Sequence, residues 1–367
     1  MTLPTDRPGR PGRGATPGAG LPTLADVAAR AGVSVATASR VLNGSERAVG
    51  EPLRERVVLA AAELGYAANT LAQAVARGSS NLLGLVVHDV ADPYFSAIAD
   101  GVMRQAERSG LVVVLTVTRR DPEREVEHVA MLRAQRARAV IVAGSRSVSV
   151  EHTRRLAREL ALYAAAGGSA ACIGQDRLGI RTVLPLNRSA ARNLATELHR
   201  LGHRRFAVLA GPRDLLTARD RLAGLLDGLG AAGVPRAAVT VLHGPFTRDG
   251  GRDAVAALLA AGLRATCLVA VNDVMAVGAM AALADAGVRV PGDVSVAGFD
   301  DIPTARDVVP RLTTVRLPLE SMGARAALLA LEPRPDVARV TKVPGEVMLR
   351  GSTAAPPAPG GPGPAVR

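Results

Sequence analysis

The sequence contains no tryptophan, and aromatic residues make up only 2% of its 367 residues. Hydrophobic residues still account for 48% of the chain, so alanine, leucine, valine and glycine must do most of the packing in its cores. At roughly 100–200 residues per domain, a chain of this length predicts two or three domains.

Long apolar runs and a cysteine framework are also missing. No stretch approaches the ~18 uninterrupted apolar residues of a membrane-spanning helix. The segment "MTLPTDRPGRPGRGATPGAG" has basic residues, but the apolar region that a secretory signal needs does not follow them. The two cysteines, Cys172 and Cys267, each lie within an apolar run. These features favour a cytoplasmic protein with buried thiols and no membrane partner.

Catalytic and metal-binding signatures are equally scarce. A GxGxxG fingerprint after the first strand, a Walker-type loop and a G-x-S-x-G elbow are all absent. His199 and His203 have the i, i+4 spacing of a zinc pair, but Gly202 lies between them, and packed or solvated histidines are far more common. We therefore expect no enzyme activity, no metal site and no cofactor.

The net charge of +12 points towards nucleic acid, because phosphate contacts dominate such binding. The excess is not concentrated in the first part of the chain. Between residues 21 and 80, six arginines and five acidic residues leave only +1. Net charge therefore suggests a class of partner without locating the contact surface.

The most informative segment begins with "TLADVAARAG". Thr23 and Asp26 have the spacing of a capping box at the start of a helix, and Gly32 is placed to end that helix. Ser34 can cap a second short helix, which runs from Val35 to about residue 42. Two short helices joined by a tight glycine turn are the signature of a helix-turn-helix.

A third helix is predicted from Pro52, in its first turn, to Gly65 at its end. Leu53 and Val57 are expected on its buried side. Helical hairpins with glycine turns also occur as plain packing elements, so the motif alone leaves that alternative open.

The second helix carries small residues that would allow close approach to a major groove about 12 Å wide. Arg40, on its outer face, can reach guanine O6 and N7 with two hydrogen bonds, and Thr37 and Ser39 can bond phosphate. From this segment we predict DNA contacts by Thr23, Ser34, Val35, Ala36, Thr37, Ser39, Arg40 and Asn43.

The stretch "TLADVAARAGVSVATASRVLNG", followed by "ELGYAANTLAQAVARG", resembles the amino-terminal domain of the LacI/GalR family of bacterial transcription regulators. The resemblance implies a short hinge helix, matching Asn69 to Arg77 here, that enters the minor groove. Asn69, Ala72 and Val75 are the DNA-contacting residues that it implies. Val75 stands at the wedge position where the family usually has leucine, so its side chain is one methylene shorter.

Short apolar runs alternate with helical segments from residue 81 onward. Eight runs predict buried parallel strands, namely "LLGLVV", "LVVVLTV", "AVIVAG", "AACIG", "FAVLAG", "VTVLH", "CLVAV" and "VSVAGFD". Amphipathic segments lie between them at 96–109, 122–136, 188–201, 219–232, 250–262 and 273–287. This alternation implies doubly wound α/β sheets, and about 270 residues are too many for one such lobe, so two lobes are expected.

The resemblance extends from Thr23 to about Thr353 and implies a periplasmic-binding-protein-like fold for the α/β region. It implies three chain crossings between the lobes, near 182–186, 312–317 and 343–348. It also implies a small-molecule effector in the cleft that the lobes enclose.

Polar and aromatic residues follow several predicted strands, at the edge where open α/β sheets bind ligands. The resemblance implies that Arg221, Asn272 and Asp300 hold ligand hydroxyls or ring nitrogens, and that Phe95 and Phe246 stack on the ligand ring. Alternatively, Phe246 plugs a loop, and Arg221 and Asp300 form an ion pair that braces the lobe. We predict effector contacts by Asp92, Tyr94, Phe95, Gln175, Arg221, Phe246, Asn272 and Asp300.

These features divide the chain into five predicted segments. Disordered tails occupy 1–20 and 353–367. A helix-turn-helix DNA-binding domain spans 21–68, and a hinge helix with its linker spans 69–80. A two-lobed α/β domain for effector binding and dimerisation spans 81–352.

The predicted function is that of a cytoplasmic, nucleoid-associated homodimer that binds a pseudo-palindromic operator in double-stranded DNA. It would act as a repressor controlled by a sugar or a related metabolite. A sugar-transport protein of the same fold would have a secretory signal and no helix-turn-helix, and an enzyme of that fold would need a catalytic constellation. The effector, its sign as inducer or co-repressor, and the operator sequence stay open.

Overall fold

The computed structural model describes residues 22–43, 49–66, 79–332 and 338–356. Contacts divide the chain into two units, with the boundary between Ala76 and Arg77. The predicted tail 1–20, residues 357–367 of the predicted tail 353–367, and the hinge residues Asn69, Ala72 and Val75 lie outside the described residues. Residues 353–356 are described, and the Ala354 amide donates to Ser295 Oγ over 3.2 Å, so the predicted start of this disordered tail lies too early in the chain.

In its described residues, the first unit contains three short helices, as the sequence predicts. They are α1 (Leu24–Ala31), α2 (Val35–Asn43) and α3 (Glu51–Glu63). Thr23 and Asp26 form the predicted capping box at the start of α1, with the Asp26 amide donating to Thr23 Oγ1 over 3.3 Å. Gly32 ends α1 in the left-handed region at φ 62°, where a residue without a Cβ is least strained.

The buried centre of the described part of the first unit consists of alanine and valine side chains, with larger, partly buried residues such as Leu42 and Tyr66 packed around it. Its buried members are Val27, Ala28, Ala31, Ala38, Val57, Ala60 and Ala61. The expectation that Leu53 packs beside Val57 is wrong, because Leu53 is 39% exposed. Leu53 lies in the first turn of α3, and the buried face of that helix begins only at Val57.

The second unit starts with alternating strands and helices, β1 (Leu82–Val87), α4 (Pro93–Arg108), β2 (Val112–Val117), α5 (Pro122–Ala134), β3 (Ala139–Ala143), α6 (Val150–Ala165), β4 (Ser169–Ile173) and β5 (Arg181–Pro185). It continues with α7 (Asn187–Arg200), β6 (Phe206–Leu209), α8 (Leu216–Ala231), a 3-10 turn (Arg236–Ala238), β7 (Val239–Leu242), α9 (Arg248–Ala260), β8 (Cys267–Ala270), α10 (Asp273–Asp285), β9 (Ser295–Ala297), α11 (Thr304–Asp307) and β10 (Thr314–Arg316). It closes with α12 (Leu319–Leu331), β11 (Val340–Val343) and β12 (Glu346–Met348).

Ten of these strands form two parallel sheets, one in each lobe, and β10 and β12 form a separate antiparallel pair. The first sheet has the order β11-β5-β4-β3-β1-β2, and the second has the order β7-β6-β8-β9. In both, the first strand of the lobe lies between the second and the third, so each sheet has a topological switch point beside that strand. Ligands of open α/β sheets bind outside the carboxyl ends of strands at such a point.

Three chain crossings join the lobes, as the family resemblance implies. The chain passes from β5 in the first lobe to α7, which packs against α8 in the second. It returns between β10 and α12 and crosses again between β11 and β12, which pairs with β10. Among the described residues, no helix combines the length and apolar character needed to cross a bilayer.

The return of α12 to the first lobe depends on two glycines. A Cβ added at Gly101 of α4 would lie 1.9 Å from the carbonyl oxygen of Glu320, and one at Gly323 of α12 would lie 2.1 Å from that of Ile98. Side chains larger than hydrogen would therefore force α4 and α12 apart.

Candidate functional site

Most of the residues predicted to contact DNA lie on α2, and Thr23 and Ser34 lie just before α1 and α2. Ala38 is fully buried and anchors the helix, whereas Val35 is 50% exposed. The remaining predicted residues with described side chains are exposed or half-buried, namely Thr23, Ser34, Ala36, Thr37, Ser39 and Arg40. Asn43 belongs to α2 through its backbone, and its side chain lies outside the described residues.

Two of these residues also hold the motif together. Ser34 Oγ accepts a hydrogen bond of 3.1 Å from the Thr37 amide and so caps α2, as predicted. Thr23 Oγ1 donates to the Asp26 carboxylate over 2.7 Å. The outer face thus combines small residues near the start of α2 with one long cationic side chain, Arg40, in its last turn.

An interlobe cavity lies at the strand ends of the second unit. The space between its lining atoms, including the open mouth, is about 410 Å³. It is lined by His88, Asp92, Tyr94, Phe95, Arg120, Gly144, Ser145, Leu215, Thr217, Arg221, Phe246, Asn272 and Asp300. All of them follow the carboxyl end of a strand, from β1, β2 and β3 in the first lobe and from β6, β7, β8 and β9 in the second.

The structure brings seven of the eight predicted effector residues to this cavity, and Gln175 is the exception. The lining residues that the sequence reasoning did not single out are His88, Arg120, Gly144, Ser145, Leu215 and Thr217. His88 and Gly144 each come directly after a strand, and that position could have marked them.

Arg221 and Asp300 contact each other in the cavity wall. Arg221 Nη2 donates to Asp300 Oδ1 over 2.7 Å, and Nη1 donates to Oδ2 over 3.2 Å. Arg221 also donates to Asn187 Oδ1 and to the carbonyl oxygen of Val271, and its guanidinium lies 3.9 Å from the ring centroid of Phe299. Both residues are buried and also line the cavity, so they form an ion pair and face the ligand space at once.

Acidic side chains gather at this edge of the second sheet. Asp273 accepts hydrogen bonds from Thr314 Oγ1, over 2.6 Å, and from the Ile302 amide, over 2.9 Å. Burial and the nearby charge of Asp300 raise the pKa of Asp273 to about 7. Burial likewise raises the pKa of Asp300 to about 6, against the opposite effect of Arg221. Asp300 also has φ 117°, an unusual value for a residue with a Cβ.

Aromatic rings supply the apolar part of the wall. Tyr94 and Phe95 pack edge to face with ring centroids 5.0 Å apart. Phe246 is half-buried and lies against Gly211, where an added Cβ would be 2.1 Å from its ring. Arg120, at φ 64°, lies 6.0 Å from the Phe246 ring centroid. The cavity thus offers both ring faces and polar groups.

The two lobes are hydrogen-bonded to each other beside the cavity. The Leu216 amide donates to the carbonyl oxygen of Arg146 over 2.9 Å, and the Thr217 amide donates to Ser145 Oγ over 2.9 Å. Gln175 belongs to this contact, because its Oε1 accepts from the Arg146 amide and its Nε2 donates to Thr217 Oγ1. These bonds hold the lobes together on this side of the cleft.

The described ranges contain no group of three or more histidine, cysteine, aspartate or glutamate side chains arranged to hold a metal ion. Cys172 and Cys267 are both fully buried, and burial raises the pKa of both thiols.

Two family models match the chain. The model described as "Bacterial regulatory proteins, lacI family" matches residues 23–69. The model described as "Periplasmic binding protein-like domain" matches residues 195–353. The first match contains the helix-turn-helix, and the second contains most of the second lobe.

Relatives match along most of the chain. The HTH-type transcriptional regulator GalR of Salmonella typhimurium (strain SL1344) is 35% identical over 328 residues, which cover 87% of this chain and 93% of GalR. A Lac repressor dimer bound to operator and the anti-inducer ONPF has a TM-score of 0.78 and 29% identity, over 91% of this chain and 99% of that one. The CelR–cellobiose complex has a TM-score of 0.64 and 30% identity, over 90% and 99%.

Proposed function

Because this chain belongs to the lacI family of bacterial regulatory proteins, we propose that it is a repressor whose affinity for operator DNA is set by a sugar or related metabolite bound in the interlobe cavity. One observation supports the proposal above all. The same chain contains a helix-turn-helix with an exposed arginine and a two-lobed unit in which seven of the predicted effector-binding residues line one cavity.

The DNA-reading half of the proposal rests on α2. Small side chains at its start let a helix approach the base edges, and Arg40 supplies the fork that matches guanine O6 and N7. The Lac repressor structure contains operator DNA and is a dimer. By analogy, this chain would act as a homodimer on a pseudo-palindromic operator, in the cytoplasm where the nucleoid lies.

The effector-reading half rests on the cavity. Hydroxyl groups both donate and accept hydrogen bonds, and the wall offers donors from Arg221 and Asn272 and acceptors from Asp92 and Asp300. Phe95 and Phe246 provide apolar contact for a ring. The CelR structure holds cellobiose, which supports a carbohydrate as the class of ligand.

The test is selection of operators from randomised duplexes by the full-length protein, followed by gel shifts. We expect a two-fold related site, and Arg40→Ala should lose about 1–3 kcal/mol of discrimination per half-site against a changed guanine. Arg54→Ala removes the same charge from the exposed side of α3 and is the matched control. It should leave sequence preference unchanged.

Selection that enriches no sequence would contradict the proposal of a specific repressor. Equal discrimination by Arg40→Ala and wild type would show that Arg40 is not a base-reading residue. A thermal-shift panel of sugars tests the effector half, since a ligand at 100 Kd adds about 2.7 kcal/mol of stability.

A further inference from the structure

Behind the first-lobe wall of the cavity lies a buried chain of three polar side chains, His88, Glu125 and Arg146. His88 Nε2 lies 3.2 Å from Glu125 Oε1. Arg146 donates to both oxygens of the same carboxylate, over 2.8 and 2.9 Å. His88 lines the cavity, whereas Glu125 and Arg146 do not. All three are buried, at 4%, 8% and 2% exposure.

The arginine determines what Glu125 can do. Burial works against ionisation of Glu125, but the charge of Arg146 and the contact with His88 outweigh burial and lower the pKa of Glu125 to about 2. An ionised carboxylate can only accept hydrogen bonds. His88 must therefore carry its proton on Nε2 to bond with Glu125.

The remaining ring nitrogen then has a defined role. Burial lowers the pKa of His88, although Glu125 acts in the opposite direction, and the positive charges of Arg146 and Arg120 add to the lowering. A neutral ring with its proton on Nε2 has a lone pair on Nδ1. Among the described residues, the side-chain hydrogen bond of His88 is made by Nε2, which leaves Nδ1 for another partner.

The orientation of the ring is fixed by its neighbours. An added Cβ at Gly144, which has φ 143°, would lie 2.7–2.9 Å from three atoms of the His88 ring. On another side, the Phe95 ring lies with its centroid 5.8 Å away. The imidazole is therefore held in one position by a backbone, an aromatic ring and a carboxylate.

We propose that His88 is a specificity-determining residue of the interlobe cavity, which presents Nδ1 as an acceptor to a hydroxyl donor of the ligand, and that Glu125 and Arg146 are positioning residues that fix this tautomer. The ligand part of the proposal rests on the proposed effector function. The tautomer is a property of the protein alone.

The first test needs no ligand. In long-range proton–nitrogen NMR spectra of full-length protein labelled with 15N-histidine, His88 should show Nε2 protonated and Nδ1 unprotonated at neutral pH. The chain has six histidines, and loss of one signal set in His88→Phe assigns the residue. A proton on Nδ1, or an imidazolium at neutral pH, would overturn the proposal.

A second variant tests the positioning role. Glu125→Gln keeps the shape of the side chain but lets it donate as well as accept. The His88 signal should then shift to a mixture that includes the Nδ1–H tautomer. An unchanged tautomer would show that Glu125 serves packing alone. If this variant does not fold, the wild-type spectrum still decides the tautomer.

The binding arm uses D-glucose, D-galactose, D-ribose and cellobiose as probes in thermal-shift assays. A sugar that binds is compared with its monodeoxy derivatives by calorimetry. Wild type should disfavour one derivative by about three- to ten-fold, the effect of one hydrogen bond. His88→Phe should bind the parent and that derivative alike, and His152→Phe, which changes a half-buried histidine on α6, should keep the preference.

The two proposals fail in different ways. A panel without any binder would contradict the sugar-effector function and leave the tautomer to decide the His88 proposal alone. A binder whose discrimination survives in His88→Phe would refute the specificity role while the effector function stands.

Discussion

Each lobe contains a buried arginine–carboxylate pair beside the cavity, and the two pairs are placed differently. In the second lobe, Arg221 and Asp300 contact over 2.7 and 3.2 Å and are themselves part of the wall. In the first lobe, Arg146 and Glu125 contact over 2.8 and 2.9 Å and lie behind the wall, with His88 in front.

The difference separates two uses of the same interaction. Either member of a pair in the wall can bond to a ligand in place of its ion-pair partner, because its atoms border the ligand space. A pair behind the wall has no such alternative, so removing one member leaves the other charge buried without compensation. We therefore expect changes in the first-lobe pair to act mainly on stability, and changes in the second-lobe pair to act mainly on effector affinity.

The largest effect is expected from Glu125→Ala. It leaves the guanidinium of Arg146, 2% exposed, without its partner, and should lower the free energy of unfolding by about 3–5 kcal/mol. Urea unfolding measures this. Glu123→Ala removes an exposed ion pair with Arg155 from the same helix and should stay near wild type. Equal stability of the two variants would show that the Arg146 pair is not a buried brace.

A smaller and different effect is expected in the second lobe. Arg221→Ala or Asp300→Asn should cost about 1–3 kcal/mol in effector affinity, the cost of an unpaired buried polar group. Operator affinity without effector should stay near wild type. Calorimetry with the identified sugar, beside a gel shift without it, measures both.

Arg188→Ala, which breaks an exposed pair with Asp227 in the same lobe, is the control for these variants and should change neither quantity. Unchanged effector affinity in both Arg221→Ala and Asp300→Asn would remove this pair from the binding site. A loss of stability as large as that of Glu125→Ala would make it a brace like the first-lobe pair.

Much of this fold is visible in the sequence, because buried parallel strands leave continuous apolar runs. All eight predicted runs correspond to strands, namely β1, β2, β3, β4, β6, β7, β8 and β9. The strands β5, β10, β11 and β12 were not predicted. They are more polar, and two of their pairings, β5 with β11 and β10 with β12, join segments that are distant in sequence, as Val340 and Thr182 are. Local patterns carry no information about such pairing.

The residues around the cavity also divide into some that the sequence predicts and some that it does not. Arg221 and Asp300 follow apolar strands, so their place at the sheet edge can be predicted. Glu125 lies in "PEREVEHVAML", where four charged or polar neighbours make it look like one more solvated helix residue. Glu125 can be buried because Arg146, 21 residues further along the chain, pairs with its carboxylate. Only the folded structure brings these two residues together.

Asp273, beside the second-lobe pair, is a buried acid that has a hydroxyl and an amide as hydrogen-bond donors, where Glu125 and Asp300 have an arginine. Burial, with the charge of Asp300, raises its pKa to about 7, whereas an aspartate in an unfolded chain has a pKa of about 3.9. Between these values the native state holds a proton that the unfolded chain releases. Raising the pH through this window should therefore lower the free energy of unfolding, by about 1 kcal/mol per pH unit.

Urea unfolding at pH 5, 6 and 7 checks this expectation against Asp273→Asn. The variant has no carboxyl at this position, so its stability should fall less steeply with pH than that of wild type. Parallel pH profiles would mean that Asp273 is already ionised at pH 5 in the native state.

The smallest effect is expected at Gln175, which bridges the two lobes. Its Oε1 accepts from the Arg146 amide over 2.9 Å, and its Nε2 donates to Thr217 Oγ1 over 3.0 Å. Gln175→Glu keeps the acceptor for Arg146, loses the donor towards Thr217, and places a second negative charge near Asp220, whose Oδ2 lies 3.4 Å from Nε2. The contact between the lobes should weaken by about 1 kcal/mol, the net value of one hydrogen bond.

That loss predicts about five-fold faster hydrogen exchange at the amides that bridge the lobes, because 1.4 kcal/mol corresponds to a factor of ten. The Leu216 amide, bonded across the cleft to Arg146, is the reporter. Amides inside β3, such as that of Ile141, are the control, since they stay within one lobe. Faster exchange at Leu216 alone would assign Gln175 to lobe closure. Equal acceleration at Ile141 would mean that the change loosens the whole first lobe, and the two lobes would then respond as one body.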